Sequence, residues 1–175
     1  MKFKVALAAL SLAVALTVVG CSASNEVNTT TAKASTTAAS ANTASIPSWS
    51  ITVDVVGAAT RQFTNEDAAK IGPVQIKAAQ KDGDSMLTEQ VWTGVLMKDF
   101  LKYVGVDSYS VIQIVASDGF SQELAPADVT ADGTGLGWAV DGKELDAKSG
   151  PVELVNNGRG PKWWVKQVSS ITIVK

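Results

Sequence analysis

The sequence predicts an α+β domain built mostly from antiparallel β-sheet with a few short helices. Short apolar segments recur between residues 46 and 175, and several alternate apolar and polar side chains as half-buried strands do. Neighbouring segments are joined by tight turns such as Asp118-Gly119 and Asp141-Gly142, which favour hairpins. Only Val95–Val104 has a clear helical period. Strands and helices alternate irregularly, which is typical of the α+β class.

The first segments of this domain predict a strand followed by a capped helix. Ile51–Val56 alternates apolar and polar side chains before a glycine, as expected for a strand that ends there. Thr64 is followed three residues later by Asp67, which is an N-cap pattern. The helix that Thr64 opens is expected to end near Ile71, because Gly72-Pro73 cannot continue it.

Two more strands and an amphipathic helix are predicted next. Val74–Ala79 and Leu87–Trp92 have the composition of strands. Val95–Val104 predicts a helix that Gly105 ends. The expected apolar face of this helix comprises Leu96, Phe100, Tyr103 and Val104.

The second half of the domain predicts five strands. Ser110–Val115 is the most apolar, and Phe120–Leu124 is expected to return beside it after the Asp118-Gly119 turn. The remaining strands are expected at Leu136–Val140, Val152–Val155 and Ser170–Val174. The first of these three precedes the Asp141-Gly142 turn, which predicts another hairpin.

The residues before this domain predict export and a lipid anchor. Residues 1–20 combine a basic start with a short apolar segment, as in a signal peptide. The segment ends Val18-Val19-Gly20-Cys21, which resembles a bacterial lipobox, so cleavage before Cys21 and acylation of that cysteine are expected. An ordinary secreted protein with an incidental cysteine is the alternative. Residues 21–45 are rich in Ser, Thr, Ala and Asn and predict a disordered tether, so the domain 46–175 is expected on the extracytoplasmic face of the cell membrane.

Composition excludes several kinds of chemistry. The chain has no histidine, and its only cysteine is Cys21, so residues 46–175 offer no thiol or imidazole for metal binding or for a Ser-His-Asp triad. Without Lys2 and Lys4 of the signal, 13 basic residues face 17 acidic ones. No basic cluster occurs in the domain, which argues against nucleic acid as a partner.

Nine short motifs occur in a fixed order along almost all of residues 51–174. They are Val55-Val56-Gly57, Phe63–Asp67, Trp92–Leu96, Val104-Gly105-Val106, Val115–Phe120, Val140–Leu145, Gly150–Val155, Lys162–Lys166 and Ile171–Ile173. No single motif is specific, but the ordered set resembles the molybdopterin-binding domain of the sulfite oxidase family. The resemblance implies the sulfite oxidase-type fold and a pterin cofactor.

The resemblance also shows where this chain departs from the catalytic members. In those proteins a cysteine thiolate binds molybdenum in a region that corresponds here to about Val74–Lys81, and this segment has no thiol. Catalytic members also use several Arg and His residues for the cofactor's phosphate, whereas this domain has only Arg61 and Arg159. Lys166 matches a lysine that the family often carries, or is a solvated strand residue. The resemblance therefore implies a pterin-like ligand without molybdenum.

The candidate ligand-binding residues are aromatic and charged side chains. They are Trp164, Trp163, Arg159, Lys162, Asp118, Trp92 and Trp138. Proteins bind a flat heteroaromatic ring by stacking an aromatic side chain on its face. A carboxylate can pair with the guanidine-like edge of a pterin. An exposed tryptophan beside Arg159 and Lys162 is the strongest candidate for a ligand contact.

Each candidate also has a structural alternative. Trp92 could be a core anchor, and Asp118 could simply be a turn residue. Because neighbouring strand residues point to opposite faces, one of Trp163 and Trp164 is expected in the core and the other at the surface. The glycine-rich stretch 132–137 before Trp138 matches no nucleotide-binding motif and is expected as a flexible loop at the rim of the site.

Three functions remain open from the sequence. The first is a lipid-anchored, extracytoplasmic module that binds or senses a pterin-like molecule without molybdenum catalysis. The second is a molybdopterin-dependent oxidoreductase or its degenerate accessory subunit. The third is a surface interaction scaffold. The absence of Cys and His from residues 46–175 favours a module that is not an enzyme. The expected partners are the membrane, a pterin-like small molecule, and a membrane sensor or redox protein.

Overall fold

The computed structural model describes residues 47–175, which form two β-sheets, a small hairpin and three short helices. The expected signal peptide, Cys21 and the rest of the predicted tether lie outside these residues. No helix within residues 47–175 is long and apolar enough to cross a membrane.

The described residues form twelve strands and three α-helices. The strands are β1 (Ser50–Val55), β2 (Arg61–Thr64), β3 (Val74–Ala78), β4 (Lys81–Asp82), β5 (Ser85–Met86), β6 (Gln90–Leu96), β7 (Val111–Ala116), β8 (Ser121–Leu124), β9 (Thr134–Val140), β10 (Lys143–Glu144), β11 (Glu153–Asn156) and β12 (Val168–Val174). The helices are α1 (Asn65–Ile71), α2 (Met97–Val104) and α3 (Pro126–Val129), and Pro161–Trp163 forms a turn of 3₁₀-helix.

The predicted predominance of antiparallel pairing is confirmed. The first sheet has the strand order β2-β1-β12-β7-β8, and only its β1–β12 pair is parallel. The second sheet has the order β10-β9-β6-β3, and β11 also pairs with β9. All pairs in the second sheet are antiparallel. Strands β4 and β5 form a separate hairpin that the sequence did not predict.

Strand β11 of the second sheet is buried on both faces, and this arrangement positions the candidate site. Leu154 belongs to the main core, which also contains alternate residues of β1, β7 and β12. Its neighbour Val155 belongs to a smaller core with Ile76, Trp92 and Trp164. Neighbouring strand residues point to opposite faces. One face of β11 therefore packs on the main core, and the other faces the smaller core.

Helix α1 begins where the sequence predicts. The Asp67 backbone N–H donates to Thr64 Oγ1 at 3.3 Å, and the Thr64 N–H donates to Asp67 Oδ2 at 3.1 Å, which completes a capping box. The helix ends at Ile71, before Gly72, as expected. The residues immediately before the cap form β2, which was not predicted, because its burial depends on pairing with β1.

The strand predicted at Val74–Ala79 is confirmed as β3, whereas the predicted bounds of β6 and the predicted start of α2 are wrong by two to four residues. The strand expected at Leu87–Trp92 lies at Gln90–Leu96, because this segment pairs with β3 on one side and with β9 on the other. Helix α2 therefore begins at Met97 and not at Val95. Its most buried side chains are Met97, Phe100 and Leu101, whereas Tyr103 is 39% exposed. The predicted stop at Gly105 is confirmed, since Gly105 takes a left-handed conformation there.

The flexible loop expected at residues 132–137 is instead largely strand β9. Its glycines serve close packing. A Cβ at Gly135 would lie 2.6 Å from Cδ1 of Ile76, and a Cβ at Gly137 would lie 2.8 Å from Cε3 of Trp92. Glycine in a strand often marks such a close approach. The sequence showed the glycines but not the neighbours that require them.

Candidate functional site

A cavity of about 460 Å³ opens beside the second sheet. Its walls come from β6, the β9–β10 hairpin, the segment after β10, and β11, with Lys166 and residues near the β4–β5 hairpin at its edge. The volume lies within the range of small-molecule sites in proteins. The apolar part of the lining consists of Leu87, Trp92, Val140 and Leu145.

Glu153 is the buried ionisable group of this cavity. It is the first residue of β11, lies opposite Gly137 of β9, and is only 3% exposed. Burial raises the pKa of Glu153 from its ordinary 4.5 to about 7; Lys166 opposes this rise in pKa, and Asp146 adds to it. Near neutral pH the carboxyl group therefore exists both with and without its proton. It can donate a hydrogen bond in one form and accept hydrogen bonds in the other.

Trp92 is both a core anchor and a wall of the cavity. It is 4% exposed and packs against Trp164, with ring centroids 5.6 Å apart. The buried Nε1 of Trp92 has no hydrogen-bond partner among residues 47–175. A buried indole N–H usually has an acceptor. The burial of Trp92 and its packing against Trp164 show that it is a core anchor, and it also lines the cavity.

Trp138 lines a second, smaller cavity. This cavity measures about 280 Å³ and shares the segment Glu144–Asp146 with the larger one. Trp138 is 3% exposed and packs against Trp49 at 5.8 Å between ring centroids. Pro47 and Pro151 complete much of the apolar lining. Trp92 and Trp138 thus stand beside two adjoining cavities, although they belong to different core clusters.

Four other candidates lie together outside both cavities. Trp164 is buried, and its Nε1 donates to the Arg159 carbonyl oxygen at 3.3 Å. Trp163 is half-buried, with the Arg159 guanidinium 4.7 Å from its ring centroid. Lys162 is exposed on the same 3₁₀ turn. Trp164 lies in the core as one of the pair was expected to, but Trp163 is half-buried against both cores and not at the surface, because these residues lie at the end of a 3₁₀ turn and not in a strand.

The Arg159 guanidinium also pairs with a buried carboxylate. Asp128 of α3 is 7% exposed and forms an ion pair with Nη2 of Arg159. Arg159 therefore already has both an anionic and an aromatic partner. This cluster joins α3 to the loop after β11.

Asp118 occupies the turn between β7 and β8 and is exposed. Its Oδ1 accepts a hydrogen bond from the Phe120 backbone N–H at 2.9 Å, as turn aspartates do. Asp118 lines neither of the two cavities. The turn interpretation of this residue accounts for its position.

Sequence reasoning named Lys166 but missed the acidic residues of the larger cavity. Glu153 follows Val152 and precedes Leu154, so simple alternation would place its side chain towards solvent. Asp146 accepts hydrogen bonds from the backbone N–H groups of Lys148 and Ser149, at 3.1 and 2.9 Å, and fixes the loop beside the cavity. The signal that could have revealed Glu153 is an acid inside the apolar run of residues 152–155.

Comparison with known proteins identifies the family. A sequence profile of the oxidoreductase molybdopterin binding domain matches residues 29–175. The chain belongs to this family. The resemblance inferred from the nine motifs is thereby confirmed, and the family binds molybdopterin.

A solved structure agrees on the fold of this molybdopterin-binding domain. The crystal structure of the sulfane dehydrogenase SoxCD from Paracoccus pantotrophus superposes with a TM-score of 0.61 at 18% sequence identity. The match covers 72% of this chain and 38% of that one. The likeness at this identity shows the fold alone. Comparison with curated proteins gives no match.

The residues of this family member do not fit a thiolate-bound molybdenum. The segment expected to correspond to the metal-binding cysteine contains Ala78 and Ala79, both buried. Residues 47–175 contain neither Cys nor His. Within that range, no group of three or more Asp and Glu side chains is placed to hold a metal ion.

Proposed function

We propose that this chain is a lipid-anchored, extracytoplasmic module that binds or senses a pterin-like molecule without molybdenum catalysis. The observation that supports the proposal is the combination of Glu153 and Trp92 in one cavity of about 460 Å³. The family supplies the expectation of a pterin. The lipobox-like sequence ending at Cys21 supports the anchor and the cellular location.

The chemistry of the cavity suits the two parts of a pterin. The guanidine-like edge of the ring carries N–H donors, and the ionised Glu153 carboxylate can accept two parallel hydrogen bonds from them. Leu87, Leu145 and the indole of Trp92 provide apolar surface for the ring itself. Because Glu153 is largely desolvated before binding, a hydrogen bond to it loses little to competition with water.

The metal-binding side chains that the domain lacks argue against catalysis at molybdenum. A thiolate is the protein ligand that the catalytic members offer this metal, and residues 47–175 contain no cysteine. The domain would therefore recognise a ligand without carrying out a redox step. A membrane sensor or a redox protein would be the partner that uses the binding event.

Binding is tested by titrating the purified protein with metal-free pterins and following tryptophan fluorescence. We expect quenching in the wild type and a loss of affinity of about 10-fold or more in Glu153→Ala, which corresponds to about 1.4 kcal/mol or more. Trp163→Phe is the matched control, because Trp163 is partly exposed but lies outside the cavities. Absence of any response to pterins would refute the proposal.

The family description, which names an oxidoreductase, favours the second candidate function. In that case the chain would be a molybdopterin-dependent enzyme or an accessory subunit with a redox partner. Elemental analysis of protein purified from its native host separates the two candidates. Stoichiometric molybdenum would favour the oxidoreductase, whereas a bound pterin without metal would favour the binding module.

A further inference from the structure

The larger cavity has an excess of acidic groups. Its acidic lining residues are Asp141, Glu144, Asp146 and Glu153. Its basic lining residues are Lys143 and Lys166. The formal charge of the lining is therefore −2 when all groups are ionised and −1 when Glu153 holds its proton. A ligand that enters this cavity meets a negative potential.

We propose that the cavity selects pterins that carry no phosphate group. This inference rests on the proposed function and specifies the ligand class of the same site. A phosphate monoester adds roughly 1.5 to 2 negative charges at pH 7. The net negative lining repels that charge, whereas it does not oppose a neutral ring.

The lining also lacks the groups with which proteins usually bind phosphate. The domain has two arginines, and neither lines the cavity. Arg61 lies on the edge strand β2 of the other sheet, and Arg159 is paired with Asp128. Arginine forks and helix N-termini are the common phosphate sites. No residue of α1, α2, α3 or the 3₁₀ turn lines this cavity.

The two lysines do not compensate for this lack. Lys166 interacts electrostatically with both Asp146 and Glu153, since it lowers the pKa of each carboxyl group. Its positive charge is thus offset by two acids of the same lining. Lys143 is adjacent in β10 to Glu144, which also lines the cavity. A phosphate at this site would have to compete with carboxylates already present.

The test compares neopterin with neopterin monophosphate by isothermal titration calorimetry at pH 7. At low ionic strength we expect neopterin to bind at least about five-fold more tightly than its monophosphate. Added salt should reduce this difference in affinity, because it screens the charges. Equal or tighter binding of the monophosphate would overturn this inference and leave the proposed function intact. Failure of both compounds and of unsubstituted pterin to bind would overturn the proposed function and this inference with it.

Two charge variants show whether the cavity acids cause the selectivity. Glu144→Gln removes one exposed carboxylate from the lining and should narrow the preference for neopterin by about two-fold or more. Glu123→Gln removes an exposed carboxylate from β8, outside the cavity, and should leave the preference unchanged. An equal effect of both variants would contradict a local origin of the selectivity. Circular dichroism verifies that each variant is folded.

Discussion

Gly137 lies directly against Trp92, so that a Cβ at Gly137 would stand only 2.8 Å from Cε3 of the indole. The same position would also place a Cβ 3.1 Å from Cγ2 of Val155. Carbon atoms in packed interiors are separated by about 3.5–4.0 Å. Because Gly137 has no side chain, β9 leaves the space that the Trp92 indole occupies. Gly137 thereby helps to position the cavity wall that Trp92 forms.

Gly137→Ala is expected to destabilise the domain and weaken ligand binding. The added methyl group would displace Trp92 or β9, and overpacking of this kind costs about 1–3 kcal/mol. Chemical denaturation measures the loss, and the pterin titration measures the effect on the cavity. Gly160→Ala is the control, because a Cβ there meets only the Lys81 carbonyl oxygen at an ordinary 3.6 Å. Equal stability of the two variants would contradict the close approach described for Gly137.

Glu153→Gln is expected to change how stability depends on pH. In the wild type, the folded state keeps the Glu153 proton between about pH 4.5 and 7, whereas the unfolded chain loses it. The contribution of Glu153 to the free energy of unfolding therefore falls by up to about 3 kcal/mol as the pH rises across this interval, and it is constant at higher pH. The neutral amide removes that loss, so the variant should be more stable than the wild type at pH 8 and similar at pH 4. Urea unfolding at both pH values provides the test. An equal change in the free energy of unfolding between pH 4 and pH 8 in the two proteins would contradict the raised pKa of Glu153.

Tyr103→Phe is expected to make the domain less stable and its acid sensitivity smaller. The hydrogen bond that Tyr103 Oη donates to Asp67 Oδ1 at 2.6 Å is the main cause that lowers the pKa of Asp67, and Lys70 also lowers it. A lowered carboxyl pKa adds stability above the ordinary value of 3.8, and this stability disappears as the pH falls below it. Loss of the hydrogen bond should cost about 1 kcal/mol at pH 7. Thermal unfolding at pH 7 and pH 3 measures both effects. Tyr109→Phe, a half-buried tyrosine elsewhere, should change neither.

Arg159→Gln is expected to destabilise the loop after β11. The variant leaves the carboxylate of Asp128 buried without its cationic partner, which costs about 1–3 kcal/mol. Asp128→Asn in the same chain should recover part of this loss, because the amide is uncharged. Denaturation of both single variants and the double variant gives the coupling energy. Arg61→Gln is the control, since Arg61 has no ion pair within residues 47–175. Strictly additive losses would contradict the coupling.

Cys21→Ser is expected to release the protein from the membrane. The lipobox-like sequence predicts acylation at Cys21, and two or more acyl chains anchor a protein stably to a bilayer. Metabolic labelling with palmitate and detergent phase partitioning of the full chain measure the modification. Ser22→Ala keeps the cysteine and should leave labelling unchanged. Labelling of the Cys21→Ser variant would contradict the assignment.

Local signals in the sequence were sufficient for elements whose geometry is set by near neighbours. Thr64 and Asp67 complete a capping box within a single turn, and Gly105 ends α2 through its own left-handed conformation. The Asp141-Gly142 turn is likewise defined by two residues with positive φ, and it joins β9 to β10 as predicted. These features need no information about distant parts of the chain.

Long-range pairing decided the features that the sequence did not reveal. The glycines of β9 indicated a loop because nothing nearby in sequence shows that Ile76 and Trp92 pack onto them. Glu153 was not among the predicted site residues, because alternation along residues 152–155 does not show that β11 is covered on both sides. Of the predicted ligand residues, Trp92 and Trp138 line cavities. Arg159 instead pairs with Asp128, 31 residues away in the sequence, and Asp118 accepts a hydrogen bond within its own turn.

The parallel pairing of β1 with β12 has a consequence for folding kinetics. Val53 pairs with Ile171, far away in the sequence, and β12 lies between the local hairpins β1–β2 and β7–β8. Contacts between such distant segments form slowly, because the entropy of loop closure is lost before the contact stabilises the chain. We therefore expect the two hairpins to form early and the first sheet to close in a late, cooperative step. A protease that removes β12 would leave the two hairpins without the strand that joins them, and neither hairpin is expected to stay folded alone.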